Sequence, residues 1–177
     1  MFISTHRHSQ SGFSLIEVLV SSFILAVGLL GVSSMQFASL KNNLGAYHQS
    51  QANVIMKDVL DRVRANREGF VAGEYDAADT GGTIPTAQTC ITATAGCTTA
   101  ELALQDIREF ASYFNDVDSA GSNFVPSIPG GRLIIQRDAT NSLATVTIFW
   151  NQDTWSEVSG SIQKNVATQQ LQMIVKI

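Results

Sequence analysis

Between Val18 and Leu40 the chain carries no ionisable side chain (VLVSSFILAVGLLGVSSMQFASL), and nothing else in its 177 residues compares with this run. At a rise of about 1.5 Å per residue, a helix of that length crosses the roughly 30 Å hydrocarbon core of a bilayer. The run also explains the low share of charged residues, 15%, against about 25% in typical soluble domains. Arg7 and the chain's own amine precede it, Lys41 lies just past it, and the only segment large enough to fold follows. Positive-inside logic then puts residues 1–12 in the cytoplasm and everything beyond about Leu40 outside. A formal charge of −4 and a pI near 5.2 leave no positive field for phosphate-held nucleic-acid binding. Two cysteines are too few for a disulfide scaffold.

An ordinary secretory signal places its small-residue cleavage site after the apolar core, so the core is lost on export. Here Ser11 and Gly12 come before it, in Gln10-Ser11-Gly12-Phe13-Ser14-Leu15-Ile16-Glu17, and a cut there keeps the membrane segment. Glu17 is the unusual residue. A carboxylate at the start of an apolar stretch costs several kcal/mol unless it is neutralised, paired or close enough to the headgroups to stay wet. This start resembles the prepilin signal of type IV pilins and type II secretion pseudopilins: a short leader ending in Gly, then Phe, then an apolar helix with Glu. The resemblance implies a prepilin peptidase that cuts after Gly12 and methylates the new amine of Phe13. It also implies that Glu17 pairs, within a filament of parallel helices, with the terminal amine of a neighbouring subunit. Each half of such a pair is costly alone, so the pair sets axial register.

No Pro occurs before Pro85, and between Leu40 and Glu68 only Gly45 interrupts a helical pattern. One long helix is predicted, with Leu40, Leu44, Tyr47, Ile55, Val59 and Val63 as its apolar stripe, Gln51 in the gap, and Asn42, Asn43, Gln49, Lys57, Asp61 and Arg64 opposite. The stripe needs a sheet to cover it. RANREG carries late cations, an Asn and a Gly, so the helix is expected to end near Asn66 to Gly69. Gly28 and Gly31 either weaken the membrane half or allow a neighbouring helix close. From Phe70 to Ala95 the chain is rich in Gly, Ala, Thr and Asp and reads as a long loop that carries little core. Cys90 and Cys97 form a disulfide if the domain lies outside the cytoplasm, whereas a metal site needs two more ligands and the mature chain has only His48, far away. Thr98-Thr99-Ala100-Glu101 opens a second helix as a capping box, with Leu102, Ile107, Phe110 and Phe114 as anchors to about Asn115.

The last third reads as strands at Arg132–Arg137, Leu143–Trp150 and Gln169–Ile177. Ala144, Val146, Ile148 and Trp150 share one face of the second, and Leu171, Met173, Val175 and Ile177 one face of the third. Asp138-Ala139-Thr140-Asn141 is the expected hairpin connection, and the place of the third strand is open. The fold class is α+β: a long N-terminal helix packed on a C-terminal antiparallel sheet, with an αβ loop and a second short helix. That arrangement is also the pilin fold which the N-terminus implies. The division expected is a removed leader, 1–12, the transmembrane and filament-core half of the long helix, 13–40, and an extracytoplasmic globular pilin domain, 41–177.

Beyond the signal, Asp61-Arg62-Val63-Arg64-Ala65-Asn66, Ala72-Gly73-Glu74-Tyr75, Cys97-Thr98-Thr99-Ala100-Glu101-Leu102 and Val146-Thr147-Ile148-Phe149-Trp150 resemble the PilV family of type IV pilus minor pilins. Val63 and Arg67 depart from that family's usual Met and Pro. Membership implies a low-copy structural subunit that primes or modifies pilus assembly and supports twitching, adhesion or DNA uptake. Its implied partners are other minor and major pilins, a tip adhesin, the prepilin peptidase, the inner-membrane assembly platform and, before assembly, the membrane itself. The subunit would sit in the inner membrane, N-terminus in, and then in the pilus at the cell surface. The alternatives are a type II secretion minor pseudopilin and a DNA- or surface-binding pilin. For the latter, Arg62, Arg64 and Arg67 are the only basic cluster, and a solvated helix end explains them as well. No Gly-rich phosphate loop, HExxH or GxSxG occurs, so no enzyme and no cofactor is expected. Asp116 and Asp118 loosely resemble a calcium loop that lacks its closing glutamate, so no metal is assigned. Trp150, Trp155 and Tyr113 are read as core or rim aromatics.

Overall fold

The computed structural model describes residues 12–76, 78–118, 123–140, 142–158 and 161–177, without the side chains of 155–158 and 161–163. Helix α1 spans Leu15–Ala65, α2 Arg67–Ala72 and α3 Thr99–Ser112, with a 3-10 turn at Thr89–Thr92. Strands β1, β2 and β3 are Arg132–Asp138, Leu143–Val158 and Ser161–Lys176. They form one antiparallel sheet in the order β1-β2-β3, so the third strand lies beside the second. The chain divides between Leu44 and Gly45 into two compact units.

In the first unit α1 is long and apolar enough to cross a membrane. Its large apolar residues from Leu15 to Leu44 are all exposed. The hydroxyls of Ser22 and Ser33 donate to the carbonyls of Val18 and Leu29 at 2.7 and 2.8 Å, Ser34 to Gly31 at 2.8 Å, and Ser21 to Glu17. Polar side chains in an apolar run are tolerated when they return to the helix backbone in this way. No atom of the chain packs where a Cβ would stand on Gly28 or Gly31, so neither glycine is required by contacts among the described residues.

The second unit is the α+β arrangement expected. From α1, Ala52, Ile55, Met56, Val59, Leu60 and Val63 are buried against Leu133 and Ile135 of β1 and Ala144, Val146, Ile148 and Trp150 of β2. Leu171, Val175 and Ile177 pack partly against the same core, while Met173 is 39% exposed. The predicted stripe is thus right in its lower half and wrong above: Leu40, Leu44 and Tyr47 are 52–60% exposed. Periodicity identifies a face, but the buried stripe begins only at Ala52, although Gln152 of β2 still reaches Gly45.

Three further expectations change. The long helix is followed directly by a second, because Asn66 ends α1 and caps α2, accepting from the Gly69 amide at 3.3 Å. Gly69 therefore lies buried inside α2, and the left-handed C-cap is Gly73, at φ 91°, a conformation that strains any residue with a Cβ. The segment after Phe70 is not free of core: Phe70, Tyr75 and Ala78 are fully buried. Finally, β2 and β3 run on past Trp150 as a two-stranded arm that pairs to Val158 and Ser161. Its NQDT sequence has no apolar alternation because this arm has no core to face.

The capping box stands as predicted: Thr98 accepts from the Glu101 amide at 3.3 Å, and Glu101 accepts from the Thr98 amide at 2.9 Å. Thr98→Ala should lower stability by about 1 kcal/mol, which denaturant unfolding of the full-length chain in detergent would measure. In the β1–β2 connection, Asp138 accepts from the Thr140 amide at 2.9 Å and the positive φ falls on Ser142, at 52°. Asn141 lies outside the described residues.

Candidate processing and assembly site

Gly12, Phe13 and Ser14 precede the first helical residue, Leu15. The Ser14 carbonyl receives the amides of Glu17 and Val18 at 3.0 and 3.3 Å, so the hydrogen-bonded ladder starts two residues after the Gly12–Phe13 bond. The Phe13 side chain is 83% exposed. This leaves the bond on an exposed, non-helical stub, with an apolar helix immediately behind it. The remainder of the leader, 1–11, lies outside the described residues.

Glu17 is the third helical residue, exposed, in the first turn. An acid there meets the unsatisfied amides of the helix start, worth typically 0.3–1 kcal/mol. Ser14-Leu15-Ile16-Glu17 also has capping-box spacing, a signal available in the sequence that motif matching around Gly12 passed over. The three residues that the signal singles out, Gly12, Phe13 and Glu17, lie within one six-residue stretch of chain.

The second unit adds a polar site that sequence reasoning missed. The Asn66 amide donates to the Thr99 carbonyl at 2.8 Å and to the Tyr75 hydroxyl at 3.2 Å. Tyr75 in turn donates to Asp106, which is 4% exposed. Arg62 contacts Asp106 at 3.5 Å, Asp58 at 3.0 Å and Glu109, and the Tyr113 hydroxyl donates to Asp58 at 2.9 Å. Burial raises the Asp106 carboxyl above the usual carboxylate range, against the pull of Tyr75 and Arg62. Burial, then the bond to Asp106, also raises the Tyr75 hydroxyl. This network joins the end of α1 to α3 and to the segment after α2. No local pattern announces it, since its hydrogen-bonded partners lie up to 55 residues apart.

In the basic cluster Arg64 and Arg67 are exposed and Arg62 is partly buried. Arg62 is held among three acids, and Arg64 pairs with Asp61 at 3.5 Å. Cys90 and Cys97 are joined by a disulfide with Cα atoms 4.8 Å apart. Asp118 receives Arg108 at 2.8 Å, and no group of three metal-ligating side chains occurs among the described residues. Trp150 is buried, Tyr113 sits partly buried at the core's margin, and the Trp155 side chain lies outside the description.

Two family models match the chain. The prokaryotic N-terminal methylation motif covers residues 7–33, which include Gly12, Phe13 and Glu17. The family described as type IV pilin Tt1218 covers 34–108, which include Asn66, Tyr75, the disulfide and Asp106. No curated protein and no solved structure matches.

Proposed function

We propose that this chain, a type IV pilin with a prepilin-type signal, serves as a minor subunit that primes or modifies a pilus. A prepilin peptidase cuts between Gly12 and Phe13 and methylates the amine of Phe13. Residues 13–40 then hold the subunit in the inner membrane with 41–177 outside, until the helix moves into the filament core among other pilins. The observation that carries this reading is the Gly12–Phe13 bond on a non-helical stub, ahead of a helix whose large apolar residues to Leu44 are uncovered. The minor role, and with it a tip adhesin and support of twitching, adhesion or DNA uptake, rests on the PilV-like stretches. One of them, Asp61–Asn66, supplies Arg62 and Asn66 to the buried network. The use of Arg62 on three acids speaks against a DNA-binding role for that cluster.

Peptide mass spectrometry on filaments sheared from the cell surface tests this. The expected result is a peptide that begins with methylated Phe13. The same peptide confined to the membrane fraction would favour the type II secretion pseudopilin, and an intact Met1 terminus would overturn the processing.

A further inference from the structure

The two edges of the sheet differ. Beside β1, Thr80 donates to the Leu133 carbonyl and Ile135 to the Ala78 carbonyl, both at 3.0 Å, and Asp79 bridges to Ile134. Ion pairs Arg132–Asp79 and Arg137–Asp76 flank that contact. Strand β3 pairs with β2 over 16 residues without a bulge, and from Val166 to Lys176 no other described segment donates to or accepts from its outer backbone. From Val166 to Val175 (VATQQLQMIV) it has no charge, no Gly and no Pro, and β3 has no acid anywhere. Val166 and Ile174, on the face away from the core, are each 61% exposed. Proteins ordinarily blunt an edge with charges, Pro, bulges or brevity, and an edge with none of these is a template for strand addition.

We infer that the outer edge of β3 receives an extended segment of another polypeptide, uncharged over about ten residues and carrying an acid opposite Lys176. A second copy of this chain fits poorly. Antiparallel self-pairing centred on Gln170 keeps outward residues on one face but sets Lys164 against Lys176 twice, and like charges directly opposite are destabilising. Pairing with the β1 edge of another copy meets Ala78–Thr80, which already occupies it. Lys164 is engaged by Asp153 at 2.7 Å, whereas Lys176 is exposed at the other end of the strand. The partner's acid is assigned there.

The test uses the full-length chain in its own cells, with the photoreactive residue p-benzoylphenylalanine at Val166, Thr168 or Gln170, and at Gln136 on β1 as control. Adducts are mapped by mass spectrometry. The expected result is one partner segment for all three β3 positions, with the attached residue moving by two for each two-residue step, and no adduct at Gln136. That register is the signature of a paired strand. Adducts to this chain itself, adducts scattered without register, or none at any β3 position would overturn the inference. Lys176→Glu should lower the yield at Gln170 by about threefold while Lys176→Arg keeps it. Equal yields would overturn the assignment of the acid.

Discussion

Glu17→Ala is expected to leave cleavage after Gly12 and methylation of Phe13 unchanged while lowering the amount of the subunit in sheared filaments tenfold or more. Cleavage, as proposed, depends on the stub ahead of Leu15, which the substitution does not touch. Assembly, as proposed, depends on a carboxylate meeting a terminal amine among apolar helices. Loss of one partner leaves the other charge unpaired in a medium of low dielectric, at a cost of several kcal/mol, and each 1.4 kcal/mol is a factor of ten. Quantitative immunoblotting of sheared filaments against the membrane fraction reads cleavage and incorporation, and mass spectrometry of the Phe13 peptide reads methylation. Unchanged incorporation would sink the charge-pairing role, and lost cleavage would mean that Glu17 belongs to the peptidase's recognition instead. Glu17→Asp, which keeps the charge on a shorter stem, should fall between.

Arg62→Ala should destabilise the second unit by about 3 kcal/mol, because Asp106 stays buried after its cation has gone. Arg64→Ala, two residues on, should change stability by less than about 0.5 kcal/mol, since its pair with Asp61 is exposed and three residues apart on one helix. The deficit of Arg62→Ala also carries a pH signature. Burial already raises the Asp106 carboxyl, and Arg62 is among the groups that oppose the rise. Without Arg62 the folded-state pKa climbs further above the unfolded value near 3.9. The folded variant then takes up a proton at a higher pH than its unfolded chain. Its stability relative to the parent therefore recovers as pH falls from 7 towards about 4. Asp76 and Asp79 behave oppositely. Held low chiefly by hydrogen bonds from Arg137 and Arg132, they contribute stability above the ordinary carboxylate range that is lost on acidification. Both proteins share that loss, so it cancels in the difference. Denaturant midpoints of parent and variant at pH 7 and pH 5 measure the effect, and a constant gap would refute it.

What could be read from the sequence was what is local. The capping box at Thr98 and Glu101, the inward residues of β2 and the disulfide each involve residues within a few positions of one another, and all stand as expected. Gly12, Phe13 and Glu17 were likewise read from spacing alone, and they lie in the stretch that the N-terminal methylation motif matches. What failed was range. The stripe on α1, right at Ile55, Val59 and Val63, was carried on to Leu40, Leu44 and Tyr47, whereas the core also takes Ala52, Met56 and Leu60, because a helical period cannot say where the cover stops. Tyr75 lies in a stretch of loop composition, yet is fully buried by contacts with Asn66 and Asp106 that no window of sequence contains. Asn66 was placed correctly at a helix boundary, but its role as the start of the next helix depends on the amide of Gly69 and the carbonyl of Thr99.

The hydroxyls of Ser21, Ser22, Ser33 and Ser34, which turn back onto the carbonyls of Glu17, Val18, Leu29 and Gly31, need nothing from the surroundings of the apolar half of α1. Beyond its first turn, none of these polar groups asks anything of lipid, and none would need a new partner among protein side chains. Exchange of one oily surrounding for another then leaves the helix's own hydrogen bonds as they were and shifts only van der Waals contact. Those serines then set no preference for one surrounding over the other, and Glu17, the single ionisable residue between Leu15 and Leu40, is where a preference can be written.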